Sequence, residues 1–293
     1  MSPGPDEAGA SDRAFALLQD LLPQHALSRL MHRLARSTSP LVRNTLIRAV
    51  LRGYPQIQMR EAAQPDPHAY PSFNAFFTRA LRVDARVVEG GAGDLVSPVD
   101  GTVSQLGQVA AGQMLQAKGI HYSPAALLAD EASATRYEGG AFACLYLAPY
   151  NYHRIHMPLA GRLAVTRYVP GALYSVNAAT ARTIPGLFTR NERVVCEFET
   201  ALGPMAVVLV GALFVGSIET VYAGEINPPG SRGGVVRSIA AGVGTEFARG
   251  AELGRFNMGS TVVLLVGNPA LRFAGRFGPG VPLRMGQALA HAG

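Results

Sequence analysis

Three short stretches carry residue types suited to proton transfer and nucleophilic attack: Ser97-Pro98-Val99-Asp100-Gly101, Tyr152-His153-Arg154-Ile155-His156-Met157-Pro158 and Phe256-Asn257-Met258-Gly259-Ser260-Thr261. A carboxylate, an imidazole and a hydroxyl are the parts of an acyl-transfer triad. In such a triad the imidazole deprotonates the hydroxyl and the carboxylate steadies the imidazolium. Histidines at i and i+3, such as His153 and His156, are also half of a metal site, and His121 would complete one for a metal-dependent hydrolase. Each stretch has a plainer reading as well. Asp100 before Gly101 is a common turn pair, and Gly259-Ser260 is a turn entering an apolar run at 261–265. Ser260 lacks the Gly-x-Ser-x-Gly setting of a nucleophile elbow, which argues against an α/β-hydrolase.

The elements that must position these residues follow from composition and spacing. A chain of 293 residues buries one large core, or one core with a smaller appendage. Hydrophobic residues at 48% and charged residues at 16% describe a globular chain rather than a disordered one. The 33 Gly and 20 Pro favour turns and short strands over a helix bundle. Short β-branched runs at 101–103, 141–147, 162–169, 193–198, 205–210, 215–222 and 261–266 predict an antiparallel β-sandwich or barrel-like core. The fold class is therefore α+β, predominantly β, with an N-terminal helical region.

That region reads as a flexible tail over 1–12 followed by helices over 13–68. Phe15, Leu18 and Leu22 share one face, and after Pro23 the spacing resumes with Leu27, Leu30, Met31 and Leu34. Arg29, Arg33 and Arg36 fall on another face, and Ser39-Pro40 is a helix-start signal. Such helices either pack on the core or lie in a membrane interface. A short aromatic helix follows at 72–77.

The formal charge of +6 is carried almost wholly by Arg, since Lys118 is the only lysine. This bias reflects either codon preference or an anionic partner. Without Trp or a recognisable nucleic-acid module, nucleic acid is not expected. Cys144 and Cys196 sit in apolar runs and read as buried thiols, not a disulfide. No basic segment leads into an apolar signal core. The longest apolar stretch, 205–218, falls short of the roughly 20 residues that span a bilayer. A cytoplasmic protein that lies on a membrane without crossing it is the expectation.

Taken together the motifs resemble the phosphatidylserine decarboxylase family of bacterial type. The resemblance runs from about Leu51 to the C-terminus. It includes residues 70–79 (YPSFNAFFTR), Gln116-Ala117-Lys118-Gly119, Tyr168-Val169-Pro170-Gly171, Asn191-Glu192-Arg193, Val210-Gly211-Ala212 and the run 215–221. Two positions depart from the family pattern. Met258 replaces the usual Leu of the cleavage motif, a nearly volume-conserving change. Asn151 stands where relatives often carry Asp, which leaves Asp100 as the charged partner for a histidine.

The resemblance implies a self-cleaving precursor. His156, oriented by Asp100, would deprotonate Ser260, and Ser260 would attack the Gly259 carbonyl. Elimination and hydrolysis would then leave a pyruvoyl group in place of Ser260. The products would be a β chain ending at Gly259, with its catalytic region over 69–259, and an α chain of 260–293 docked in the same core. Decarboxylating an amino acid needs an electron sink conjugated to its amine. The pyruvoyl group would be that sink, through a Schiff base with phosphatidylserine, with no pyridoxal phosphate and no metal. His153 is the implied residue for substrate recognition and protonation. The expected partners are phosphatidylserine and an anionic membrane surface at the cytoplasmic face. A homo-oligomer is compatible with the sequence. Three other readings stay open: a pyruvoyl decarboxylase of a soluble amino acid, the metal-dependent hydrolase, and a non-enzymatic β-sandwich binding module.

Overall fold

The computed structural model describes residues 9–214, 217–227, 234–257 and 260–293. Three helices open the chain: α1 (Ala10–Leu21), α2 (Gln24–Ala35) and α3 (Pro40–Gly53). Pro23 breaks the run between the first two, and Pro40 occupies the first turn of the third, where no donor is lost. The first helix begins at Ala10, inside the stretch expected to be a tail. Asp12 explains the difference, because it ion-pairs with Arg182 at 3.0 Å and ties that end to the core.

The larger apolar side chains of α1 point mostly outward. Ala16 and Gln19 of α1 and Ser28 and Ala35 of α2 are the buried residues, while Leu17 and Leu21 are 65% and 81% exposed. Small apolar contacts at Ala16 and Ala35 are joined by polar ones. Gln19 Oε1 and Gln24 Oε1 accept from the amides of Ser175 and Leu173 at 2.7 Å, and the Tyr174 hydroxyl donates to Asp20.

A short helix, α4 (Phe73–Phe77), is capped by Ser72, whose Oγ accepts from the Ala75 amide at 3.1 Å. Its aromatic residues join Ala35, Ile47, Ile57 and Tyr70 in a small core under the N-terminal helices. This core fixes α4 against the rest of the molecule.

The strands that build the site are β1 (Gly101–Gln108), β2 (Ala141–Leu147), β3 (Arg154–His156), β4 (Gly161–Val169), β5 (Arg193–Thr200), β6 (Gly203–Val210), β7 (Ile218–Thr220), β8 (Glu252–Phe256) and β9 (Ser260–Val266). The central antiparallel sheet runs β4-β5-β6-β9-β2-β1, extended at its edges by Arg237–Ser238, Glu246–Phe247 and Pro282–Leu283. A smaller sheet orders Gly224–Glu225, β7, β8 and β3, and a third joins Leu95–Val96, Ala288–Ala292 and Leu271–Phe273.

The central sheet is covered on both faces, so β9 reads as a continuous apolar run rather than an alternating one. Val262, Leu264 and Val266 face the core beneath the smaller sheets, and Val263 and Leu265 face the opposite layer. That opposite layer contains short helices such as Pro124–Leu128 and Ala178–Thr183, which the β-rich reading of this region did not anticipate. Cys144 and Cys196 are free and buried, as expected.

Candidate active site

Ser260 is the first residue of β9, in the middle of the central sheet. It faces Leu147, the last residue of β2, while Thr261 faces Tyr146 on one side and Val210 on the other. Its hydroxyl is buried and has no hydrogen-bond partner among the described residues. An unpaired buried hydroxyl is costly in a finished fold. Gly259, the other half of the expected cleavage site, and Met258 lie outside the described residues.

The strand ends next to Ser260 bring the other residues in. After Leu147 the chain turns over 148–151. Asn151 closes this turn: its Oδ1 accepts from the Ala148 amide at 2.8 Å, and its own amide donates to the Ala148 carbonyl. The side chain that stands in the family's Asp position thus serves the turn that leads to His153. His153 follows, fully buried, with its ring stacked on Phe77 of α4 at a centroid distance of 4.2 Å. Neither ring nitrogen makes a well-formed hydrogen bond among the described residues. Burial first, and the nearby Arg79 charge second, lower its pKa to about 3, against the opposing pull of the Ala148 and Pro149 carbonyls.

His156 closes β3. Its Nδ1 lies 2.8 Å from the Gly250 carbonyl and its Nε2 lies 3.0 Å from the Tyr152 hydroxyl. A carbonyl can only accept, so Nδ1 carries the proton and Nε2 of the neutral ring is the basic nitrogen. Burial lowers the pKa of this imidazole, with the Gly250 carbonyl opposing.

Asp100 immediately precedes β1, and β1 is two strand spacings from β9, roughly 10 Å across the sheet. Both of its oxygens are taken by Arg86, with Nε at 2.9 Å from Oδ1, and Oδ1 also accepts from the Met285 amide at 2.9 Å. Arg86 in turn reaches Glu61 at 2.8 Å. His156 therefore donates no hydrogen bond to Asp100 in this arrangement: guanidinium and amide donors fill the carboxylate, and Gly250 and Tyr152 are the partners of the imidazole. Asp100 still lies close enough for its charge to favour the protonated ring. The His156 amide, donating to the Pro98 carbonyl at 2.9 Å, keeps the two segments together.

Arg86, Tyr152 and Arg79 are site residues that the motifs did not single out. Arg86 had no signal, since it sits in a stretch without periodicity. Tyr152 was inside a quoted motif, but only the fold shows that its hydroxyl meets His156. Arg79 closes the quoted block 70–79, but only the fold shows that its guanidinium is buried. His121 lies apart, in the hairpin of Met114–Ala117 and Ile120–Tyr122. Among the described residues no three His, Cys, Asp or Glu side chains are grouped as a metal site requires.

A family model described as phosphatidylserine decarboxylase matches residues 73–291, and a second, described as PSD, matches residues 14–55. The chain belongs to the phosphatidylserine decarboxylase family. A phosphatidylserine decarboxylase proenzyme from Azotobacter vinelandii is 51% identical over 96% of this chain and 99% of its own length. Proenzymes of the same name from Methylococcus capsulatus and Shewanella sp. strain MR-4 are 48% and 50% identical, over 94% and 96% of this chain and 96% and 97% of theirs. The family is one of carboxy-lyases. The second matched segment covers most of α1 and all of α2 and α3.

Proposed function

We propose that this chain is a precursor that cuts itself between Gly259 and Ser260 and then decarboxylates phosphatidylserine to phosphatidylethanolamine. The observation that carries this reading is the state of Ser260: a buried hydroxyl with no hydrogen-bond partner among the described residues, at the start of a central strand, in a family whose relatives are named proenzymes.

In the cut, the Ser260 hydroxyl attacks the Gly259 carbonyl and its proton passes to His156. The Gly250 carbonyl fixes the tautomer that leaves Nε2 basic. In the resting arrangement Nε2 holds the Tyr152 hydroxyl, so the proton travels either through that hydroxyl or after it swings aside. Asp100, held by Arg86, acts as a nearby negative charge that favours the imidazolium. The amide between residues 259 and 260 becomes an ester. Removal of the residue 260 α-proton expels the Gly259 carboxylate and leaves a dehydroalanine, which tautomerises. Water then replaces its nitrogen, and ammonia leaves.

The residues present fit a pyruvoyl group at position 260, since no hydrogen bond of the described residues is lost when the Ser260 hydroxyl becomes a ketone oxygen. That group supplies a ketone conjugated to an amide, able to accept the electron pair released with carbon dioxide. The chain's own part in turnover is to hold the head group and exclude water. His153, stacked on Phe77 and shielded from solvent, is the residue proposed to deliver a proton to the substrate. Its low pKa keeps it neutral until negative charge arrives nearby.

The substrate is a membrane lipid, and the outward leucines of α1 and α2 face where a bilayer would be met. Phe15, Leu17, Leu18, Leu21, Leu22, Leu30 and Leu34 are exposed beside Arg29 and Arg33. Among the described residues no helix is long and apolar enough to cross a membrane. We propose that these helices rest on the anionic surface while the site reaches the head group.

Denaturing mass spectrometry of the purified protein, with a phosphatidylserine decarboxylation assay on the same sample, tests the reading. Two chains, 1–259 and 260–293, the smaller blocked at its N-terminus, are expected together with activity. An active protein consisting of one intact chain would overturn the reading.

A further inference from the structure

We propose that Arg79 is the anchor for the phosphodiester of the substrate head group, in the polar cavity that opens beside Asp100 and Tyr152. This rests on the decarboxylase reading above but concerns a site which that reading does not use.

Arg79 follows α4 and is only 5% exposed. Its Nε is buried without a hydrogen-bond partner, and among the described residues it forms no ion pair. The guanidinium carbon lies 5.7 Å from the centroid of the Phe76 ring, a contact that leaves its donors unused. The side chain lines a cavity of about 350 Å³, at the small end of the range for ligand sites and suited to a head group rather than to acyl chains.

The charges around this cavity do not cancel. Glu61 and Asp100 line it together with Arg79, Arg86 and Arg284. Arg86 takes both acids, and Arg284 lies 3.7 Å from Glu61. Arg79 is left with those acids only at a distance. Burial consequently lowers its pKa, as it must for a cation without a contact partner. A buried cation without a contact partner is costly to a fold. Its retention makes sense if a ligand anion completes it, and the planar fork of an arginine matches a phosphate in two places.

The head group offers two anions, and the reaction separates them. A carboxylate held by an arginine would be stabilised in the ground state, and that raises the barrier to losing it as carbon dioxide. The phosphodiester keeps its charge from substrate to product. Arg79 therefore suits the phosphodiester, and its loss should weaken binding of substrate and product alike. Position agrees with this. Arg79 is close enough to lower the pKa of His153, and the carbonyls beside that ring include that of Ala148, the neighbour of Leu147, which pairs with Ser260. A phosphate at Arg79 would hold the head group in the cavity beside Tyr152, the residue before His153.

The test compares wild type with Arg79→Met and Arg79→Lys. For phosphatidylserine in mixed micelles, Arg79→Met should raise KM roughly tenfold or more with kcat within about threefold, the sign of lost uniform binding. Glycerophosphoethanolamine, which has the phosphodiester but no carboxylate, should bind the uncut Ser260→Ala protein, and adding Arg79→Met should weaken that binding by a similar factor, read by calorimetry. Without ligand, Arg79→Met should melt at or above the wild-type temperature, because an unpaired charge has gone, whereas a structural role would lower it. Arg79→Lys should fall between the two in KM. Unchanged KM and unchanged glycerophosphoethanolamine binding would overturn the proposal. So would an Arg79→Met protein that melts lower or fails to fold. A wild-type protein that binds glycerophosphoethanolamine through Arg79 yet does not decarboxylate phosphatidylserine would overturn the enzymatic reading instead.

Discussion

Replacing Gly101 by Ala probes the geometry of the site without touching a reacting group. Gly101 opens β1 directly after Asp100, and an added Cβ would stand 2.5 Å from the Tyr146 carbonyl oxygen and 3.3 Å from its carbon. Ordinary contact begins near 3.4 Å, so β1 and β2 must part by about 0.9 Å at this end. The obstacle is ladder backbone, which cannot turn aside as a side chain can. Overpacking of this kind costs about 1–3 kcal/mol. The same displacement moves Asp100 away from Arg86 and shifts the Tyr146-Leu147 peptide that faces Thr261 and Ser260. A misplacement near 1 Å slows chemistry by on the order of a hundredfold. Urea unfolding should therefore show a lower midpoint, and the appearance of residues 260–293 by denaturing mass spectrometry should slow by that order. Gly107→Ala, in the same strand, is the control. Its Cβ would meet the Phe142 ring edge at 3.2 Å, a contact that a rotating side chain relieves. A Gly101→Ala protein with wild-type midpoint and cleavage rate would show that the strand junction does not set the site.

Other expectations follow from the same geometry. His156→Ala should leave the chain uncut, whereas His153→Ala should cut but turn over about 10²- to 10⁴-fold more slowly; an uncut His153→Ala protein would reverse this division of labour. Leu17→Asp combined with Leu21→Asp should reduce co-sedimentation with anionic phospholipid vesicles by at least about tenfold, given 1.5–3 kcal/mol per buried leucine, while leaving the melting temperature near wild type because both positions are exposed. Unreduced binding would place the membrane contact elsewhere. His153 titrates near 3 in the fold and near 6.5 unfolded, so its stabilising contribution is full above about 6.5. That contribution is lost as pH falls towards 3, by up to about 1.4 kcal/mol per unit. His153→Phe, which preserves the stack on Phe77, should flatten the fall in urea midpoint below pH 6.5, and an unchanged slope would contradict the burial argument.

The strands were legible because their residues are apolar on both faces. Ala141–Leu147 is found with the expected bounds, and the run at 261–266 needed only Ser260 added. The N-terminal helices were legible as helices but not in orientation. Periodicity shows that leucines share a face, and it does not show whether protein or lipid covers them. Here Gln19, Gln24 and Ser28 make the protein contacts through loop amides whose positions depend on the whole fold. The site divides in the same way. Asp100, His153, His156 and Ser260 stood out by motif, and the fold gathers their segments at one end of the central sheet. The hydrogen bonds among them did not follow from the motif. Arg86 and Tyr152 take the partners that a simple triad would have assigned; Arg86 comes from a stretch with no local pattern, and the motif that holds Tyr152 did not show where its hydroxyl points.

The place of β9 in the central sheet bears on when the chain can act on itself. Its two neighbours, β2 and β6, come from distant parts of the sequence, and residues after it pair with Leu95–Val96 and with the start of β1. Ser260 loses water only once these segments have met, since in an open chain its hydroxyl is hydrated. On the proposed function the cut is thus a proofreading step on folding. A chain that assembles wrongly stays an inert precursor, and each cleaved molecule certifies its own architecture. Because ladders on both sides grip the new N-terminus, severing the backbone there releases nothing. The scar is held in place by the strands that made it possible.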